Sequence, residues 1–371
     1  MFPSKTHVVD ERLSQYLRYA RAQSVSHSVQ LRPSKDDEES IERATQMWSA
    51  VAANTEEYSF ELTADTNAVS AYFAYPPDSE GVVRGAVTET YPQAQLDVSE
   101  ENEVIYPEEG SSVYARELWL AHDYWHPLHV PEEDPQRELV RAMTDTQAKV
   151  CVQVAVTPWE DWRSRLSLRG RWRRPPFSTP ERWVGDAVNA YQRRADSAKE
   201  RGDEATHETW REAVKQLQDA RTTNTDRDER YAASIRVIAW DNSETEAADA
   251  GETVVGELRS LFKHSEPPRQ GLTTMSKQRR SQTLAVMTDT VQRRVRRNPL
   301  PRTWWDRIAA VRRAEQRAPT LLSIPTLAAL AHLPDPELGN SAVQRAKTKP
   351  RGQFPVDAPR PNNSSDAGDS A

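Results

Sequence analysis

The chain has 371 residues, 37% of them hydrophobic and 28% charged, with a net charge of −7. Eleven Trp and eleven Tyr separate it from an unfolded polar chain, and the negative sum excludes a general polyanion binder acting through bulk charge. One cysteine, Cys151, precludes an internal disulfide and fits a reducing cytoplasm. No run approaches the roughly 20 apolar residues of a membrane span, and the first residues lack the apolar core of a signal peptide. The acidic, Arg-rich, Lys-poor composition fits a salt-adapted or high-GC source.

Residues 1–55 read as a helical N-terminal arm, with a break at Pro33–Glu39 before a helix carrying Ile41 and Trp48. A first α/β module follows over 56–112. Tyr58, Phe60 and Leu62 alternate with polar residues, as do Val69, Ala71 and Phe73, which is the half-buried strand signal. Asp65-Thr66-Asn67 between them predicts a hairpin turn. A helix over Gly81–Thr90 and a strand through Leu96 and Val98 complete the module.

A second module spans 113–290. It has a strand at Val113–Leu120, a helix from Asp134-Pro135, and the strongest strand of the chain, where Val150, Val152, Val154 and Val156 alternate without a miss. A strand at Ile235–Trp240, a helix with Val254, Leu258, Leu261 and Phe262 on one face, and a strand at Gln282–Met287 follow. The order strand, helix, strand, strand, helix, strand is that of the split βαβ, ferredoxin-like unit. Inserted at 163–225 is a helical hairpin or one long exposed helix, opened by Thr179-Pro180 and carrying Val184, Val188 and Tyr191, then Trp210, Val214 and Leu217. The fold class is therefore α+β, with ferredoxin-like modules and a helical insertion.

Residues 277–317 hold Lys277 and eleven Arg against Asp289, Asp306 and Glu315, a local sum of +9 that leaves −16 for the rest. The basic helical segment is taken as 291–345, ending in the apolar block Leu321–Pro334. Residues 346–371 are rich in Pro, Asn, Ser and Asp and read as a disordered tail.

No Gly-Lys pair occurs, so the P-loop that surrounds nucleotide phosphates with backbone N–H groups and a Lys is missing. Neither catalytic residues nor a cofactor site are expected. His122, His126 and His129 lie within eight residues and offer nitrogen ligands for zinc, but Pro127 and Pro131 make the stretch a loop, and the plain reading is an aromatic cap. Cys151 sits within the strongest strand and reads as inert strand packing or a plain surface thiol. Arg169, Arg171, Trp172 and Arg173 form one basic-aromatic cluster. Arg293, Arg294, Arg296 and Arg297 with Trp304 and Trp305 form a second. Such clusters contact phosphates and stack bases, or else present a solvated or partner-facing surface.

Several segments, taken in order, carry a resemblance. Phe60-Glu61-Leu62, then Ala71–Pro76, Thr90–Leu96, Val152–Pro158 with Trp162, Ser234–Val237 and Leu321–Pro334 resemble the N-terminal domain of conjugative type IV secretion ATPases. In that family a non-catalytic domain precedes an FtsK/HerA-type motor. The segment Leu327-Ala328-Ala329-Leu330-Ala331-His332-Leu333-Pro334 is the most specific match. Pro325-Thr326 departs from the family's acidic residue at this helix start, and the motor's P-loop is absent.

The resemblance implies a cytoplasmic accessory domain that docks a separate P-loop ATPase, against a membrane complex or DNA. Leu327, Leu330, His332 and the basic stretch would be its contact surface, and oligomeric state is left open. The alternative is a nucleic-acid-binding protein acting alone through its Arg/Trp segments.

Overall fold

Alternating valines make Lys149–Pro158 a strand, and it lies in the middle of one ten-stranded sheet. The computed structural model describes residues 5–22, 24, 27–34, 41–52, 57–65, 68–99, 107–121, 128, 130–131, 134–158, 180–225, 230–263, 270–275, 280–295, 320–334 and 343. The strands are β1 (His7–Val8), β2 (His27–Arg32), β3 (Tyr58–Asp65), β4 (Ala68–Tyr75), β5 (Gln95–Ser99), β6 (Ser112–Leu120), β7 (Lys149–Pro158), β8 (Arg230–Asp241), β9 (Leu272–Thr274) and β10 (Thr320–Ser323). The helices are α1 (Glu11–Ala22), α2 (Ile41–Ala52), α3 (Glu80–Thr90), α4 (Pro135–Thr144), α5 (Pro180–Glu200), α6 (Glu204–Thr225), α7 (Glu244–Leu261), α8 (Arg280–Val291) and α9 (Ile324–Leu330).

From β2 to β5 the chain runs strand, helix, strand, strand, helix, strand, and the strands lie side by side as β5–β2–β4–β3. From β6 to β9 the succession recurs, and the strands lie as β9–β6–β8–β7. Both are the fourth–first–third–second order of the ferredoxin-like unit, antiparallel throughout. The second strand of each unit, β3 and β7, pair antiparallel from Tyr58↔Val156 to Ala64↔Val150. An antiparallel pair has a local two-fold axis between its strands. The two units are therefore related by a pseudo-two-fold normal to the sheet.

Residues 27–52, assigned from sequence to the N-terminal arm, supply β2 and α2 of the first unit. The expected strand Gln282–Met287 is corrected: it lies inside α8, and the short β9 takes the place of the fourth strand. The buried residues of α8 are Gln282, Thr283, Val286, Met287, Thr290 and Val291. That is a helical period, but half of its members are polar. The turn at Thr66-Asn67 and the tail lie outside the described residues.

The inserted segment is a hairpin. Arg201 and Gly202 form its turn, with Gly202 in the left-handed region at φ 72°. Tyr191 and Trp210 pack across the pair at 5.1 Å, with the Arg194 guanidinium over both rings.

Helices α2, α3, α4, α7 and α9 contribute to the core on one face of the sheet, over Phe60, Leu62, Phe73, Val152, Val154 and Ile235. Gly251 of α7 lets that helix lie against the Tyr114 ring, where any Cβ would collide. On the other face, α1 and α8 cover Val113, Ala115, Cys151, Ile238 and Trp240 with Leu13, Leu17, Val286 and Met287.

Candidate functional site

In β3, β7, β8 and β6 the side chains facing α8 are mostly small or apolar, except along one row. Register places Glu61 opposite Gln153, Gln153 opposite Arg236, and Arg236 opposite Glu117. All four are buried. Gln153 Nε2 donates to Glu61 Oε1 at 2.9 Å, and Arg236 Nη1 donates to Gln153 Oε1 at 2.7 Å. Arg236 Nε lies 3.7 Å from Glu117 Oε1.

The C-terminal end of α8 closes this row. Gln153 also donates to the Thr290 carbonyl, and Arg236 to the carbonyls of Asp289 and Arg294. The helix stops in a Schellman motif: Arg293 N–H donates to Thr290 O and Arg294 N–H to Asp289 O, each at 3.0 Å. The left-handed position, usually glycine, is Arg293 at φ 55°. Its side chain turns inward, with Nε 2.8 Å from Glu61 Oε1 and Nη2 3.2 Å from Glu61 Oε2. Two carboxylates thus face two guanidiniums inside the protein. The charges close to neutrality, which a buried ionic group requires.

A second polar assembly holds α9. Three of its last carbonyls are taken by buried side chains. His332 Nδ1 lies 2.8 Å from Ala328 O, Gln136 Nε2 donates to Leu330 O at 2.8 Å, and Trp48 Nε1 donates to Ala331 O at 2.7 Å. His332 Nε2 is 2.7 Å from Oδ1 of Asp134, which also caps α4 by accepting from Gln136 N–H. Since a carbonyl only accepts, the Nδ1 of His332 carries a proton. Tyr231 Oη donates to Trp48 O at 3.2 Å. The apolar block therefore fastens α2, α4 and β8 together.

These facts revise the contact surface. Leu327, Leu330 and His332 are core residues, not exposed ones. Arg293 is likewise corrected, because Glu61 engages it beneath the surface. Arg294 is exposed. Arg169, Arg171, Trp172, Arg173, Arg296, Arg297, Trp304 and Trp305 lie outside the described residues, as do His122, His126 and His129. Among the described residues no group of His, Cys, Asp and Glu could hold a metal ion. Cys151 is buried, and burial, with Glu61 nearby, pushes its thiol far up.

Sequence reading missed Glu61, Gln153, Arg236 and Glu117 as a set. A signal was present: Glu61, Gln153 and Arg236 are each a polar residue between two apolar ones inside a segment that carries the resemblance. It also missed α1. Val8, Tyr16, Tyr19 and Val82 are the exposed large hydrophobic residues of the described chain, and three of them fall in β1 and α1.

The model of a domain of unknown function, DUF8128, matches residues 2–346, and the chain belongs to that family. No curated protein matches it.

Proposed function

We propose that this member of the DUF8128 family is a non-catalytic adaptor that docks a separate P-loop ATPase of a DNA-transfer system. One observation carries the reading. The segments that resemble the N-terminal domain of conjugative ATPases are contiguous in space. Phe60-Glu61-Leu62, Val152-Gln153-Val154 and Ile235-Arg236-Val237 lie on β3, β7 and β8, and their polar members meet in one buried row. Leu321–Pro334 pairs with β8 through β10 and locks α2 to α4. A likeness spread over unrelated surfaces would lack this coherence.

With Leu327, Leu330 and His332 in the core, docking falls to exposed elements such as α1 and the α5–α6 hairpin. No described helix is long and apolar enough to cross a membrane, and contact with a membrane complex would run through the partner. The test is cross-linking in the native host followed by affinity capture of the tagged chain. Recovery of a P-loop ATPase is expected, and its repeated absence from cross-linked material would overturn the proposal.

A further inference from the structure

Helix α1 buries Leu13, Ser14, Leu17 and Ala20 against the sheet. Its other side carries Glu11, Arg12, Gln15, Tyr16, Arg18 and Tyr19, all exposed. Arg12, Tyr16 and Tyr19 follow i, i+4, i+7 spacing and form one stripe, with Arg18 on the same outward side. Tyr16 is 47% exposed and Tyr19 65%. With Val8 they make three of the four exposed large hydrophobic residues among those described, and they stand on a helix whose apolar side is already buried.

Charge selects the occupant. Arg18 makes no ion pair among the described residues, whereas Arg12 follows the exposed Glu11 and, with Arg280 at 2.8 Å, adds to the positive field at Asp10. That contact ties the start of α1 to the start of α8, and Arg294 is exposed just past the end of α8. The layer outside this face of the sheet is thus arginine-rich. The opposite layer is acidic: α7 exposes Glu246, Asp249 and Glu252. The chain is negative as a whole, but on this face Arg12, Arg18, Arg280 and Arg294 outnumber Asp10 and Glu11 beside two exposed rings, which complements a polyanion carrying flat rings.

We infer that the Arg12–Tyr16–Tyr19 face of α1, with Arg18 beside it, is a binding site for single-stranded nucleic acid. The tyrosines supply stacking platforms and the guanidiniums phosphate contacts. From Arg12 to Tyr19 the stripe spans about 10 Å, the length of about three nucleotides at about 3.4 Å each. This site does not depend on the adaptor reading, which with α1 so occupied keeps the α5–α6 hairpin for docking.

The test is fluorescence anisotropy of the full chain with a labelled oligothymidylate of about 12 nucleotides, within the site-size range of such grooves, across a salt series. Wild-type protein should bind at low salt. Tyr16→Ala and Tyr19→Ala should each weaken binding by about fivefold or more, since one stacked base contributes at least about a factor of five. Tyr16→Phe and Tyr19→Phe keep the ring and should retain affinity. Arg12→Gln with Arg18→Gln should reduce the salt slope by about 1.4, two phosphates at about 0.7 each on a single strand. All these residues are exposed, so unchanged circular dichroism is expected throughout. The inference fails if the wild type does not bind, or if binding persists after the Tyr→Ala changes, which would place it on the basic 277–317 stretch. It also fails if those changes abolish capture of a protein partner while leaving DNA affinity intact.

Discussion

Arg293 provides the sharpest quantitative test of the buried row. Its backbone holds a left-handed conformation at φ 55°, and its guanidinium pairs with Glu61 where both are buried. Replacing it by Ala or Gly leaves Glu61 with only Ser59 and Gln153 as donors. Removing one partner of a buried pair costs about 3–5 kcal/mol. A non-glycine residue in the left-handed region carries about 1 kcal/mol of strain or more. Arg293→Ala keeps that strain and should lose about 3–5 kcal/mol. Arg293→Gly relieves it and should lose about 2–4 kcal/mol. The glycine variant is thus the more stable by about 1 kcal/mol. The same exchange inside α8 has the opposite sign: Ala285→Gly should cost about 1 kcal/mol. Urea unfolding followed by both tryptophan fluorescence and far-ultraviolet circular dichroism measures all three, provided the two transitions coincide. Equal stability of the Gly and Ala variants would refute the strain at the left-handed position, and either lying within about 1 kcal/mol of wild type would refute the pairing as described.

Three further outcomes follow from single sites. Gly251→Ala would drive a methyl group into the Tyr114 ring, and calorimetry should show a loss of about 1–3 kcal/mol, partly restored when Tyr114 is shortened to Leu. Cys151 should not react with a disulfide reagent in native protein at mildly alkaline pH and should react fully once the chain is unfolded; fast native reaction would contradict its burial and its raised thiol. Asp10 accepts from Leu13 N–H and from Arg280, and those bonds, the backbone one first, hold its carboxyl below the ordinary aspartate value of 3.8. Its stabilisation is therefore full above that value and disappears as pH falls through the lowered one. Asp10→Asn should flatten this part of the acid limb in pH-dependent unfolding, and an unchanged limb would exclude the contribution.

Much of the strand framework is legible from local pattern. The alternation in β3, β4 and β7 and the Asp134-Pro135 start of α4 need only neighbours a few positions away. What escaped depends on distant partners. Gln282, Thr283 and Thr290 break the apolar period of α8 although all three are buried; Thr290 Oγ1 donates back to the Val286 carbonyl, while its own carbonyl takes Gln153 of β7. Arg293 counts as one more positive charge in a basic run until Glu61, 232 positions earlier, is found beneath it. The hydrophobic period of α9 reports burial correctly but cannot say whether the burying surface is a partner or the chain itself; Trp48 and Gln136 supply that answer.

That last distinction reshapes the functional argument. A motif that ends a docking domain invites the reading that its leucines touch the next machine. Here the carbonyls of Ala328, Leu330 and Ala331 at the end of α9 are bonded internally, and Leu327, Leu330 and His332 are sealed in the core. The motif's role is then to fix geometry: it joins α2 of the first unit to α4 and β8 of the second, close to the pseudo-two-fold between β3 and β7. The buried row does the same on the opposite face, running from β3 of the first unit to β6 of the second. Both faces of the sheet are cross-linked over the junction of the two units, so bending there would break ionic or capped groups that have no access to water. On the proposed adaptor reading, a rigid double unit that projects a hairpin and an arginine–tyrosine helix would hold partners at a set distance, and contacts are to be sought on those projections.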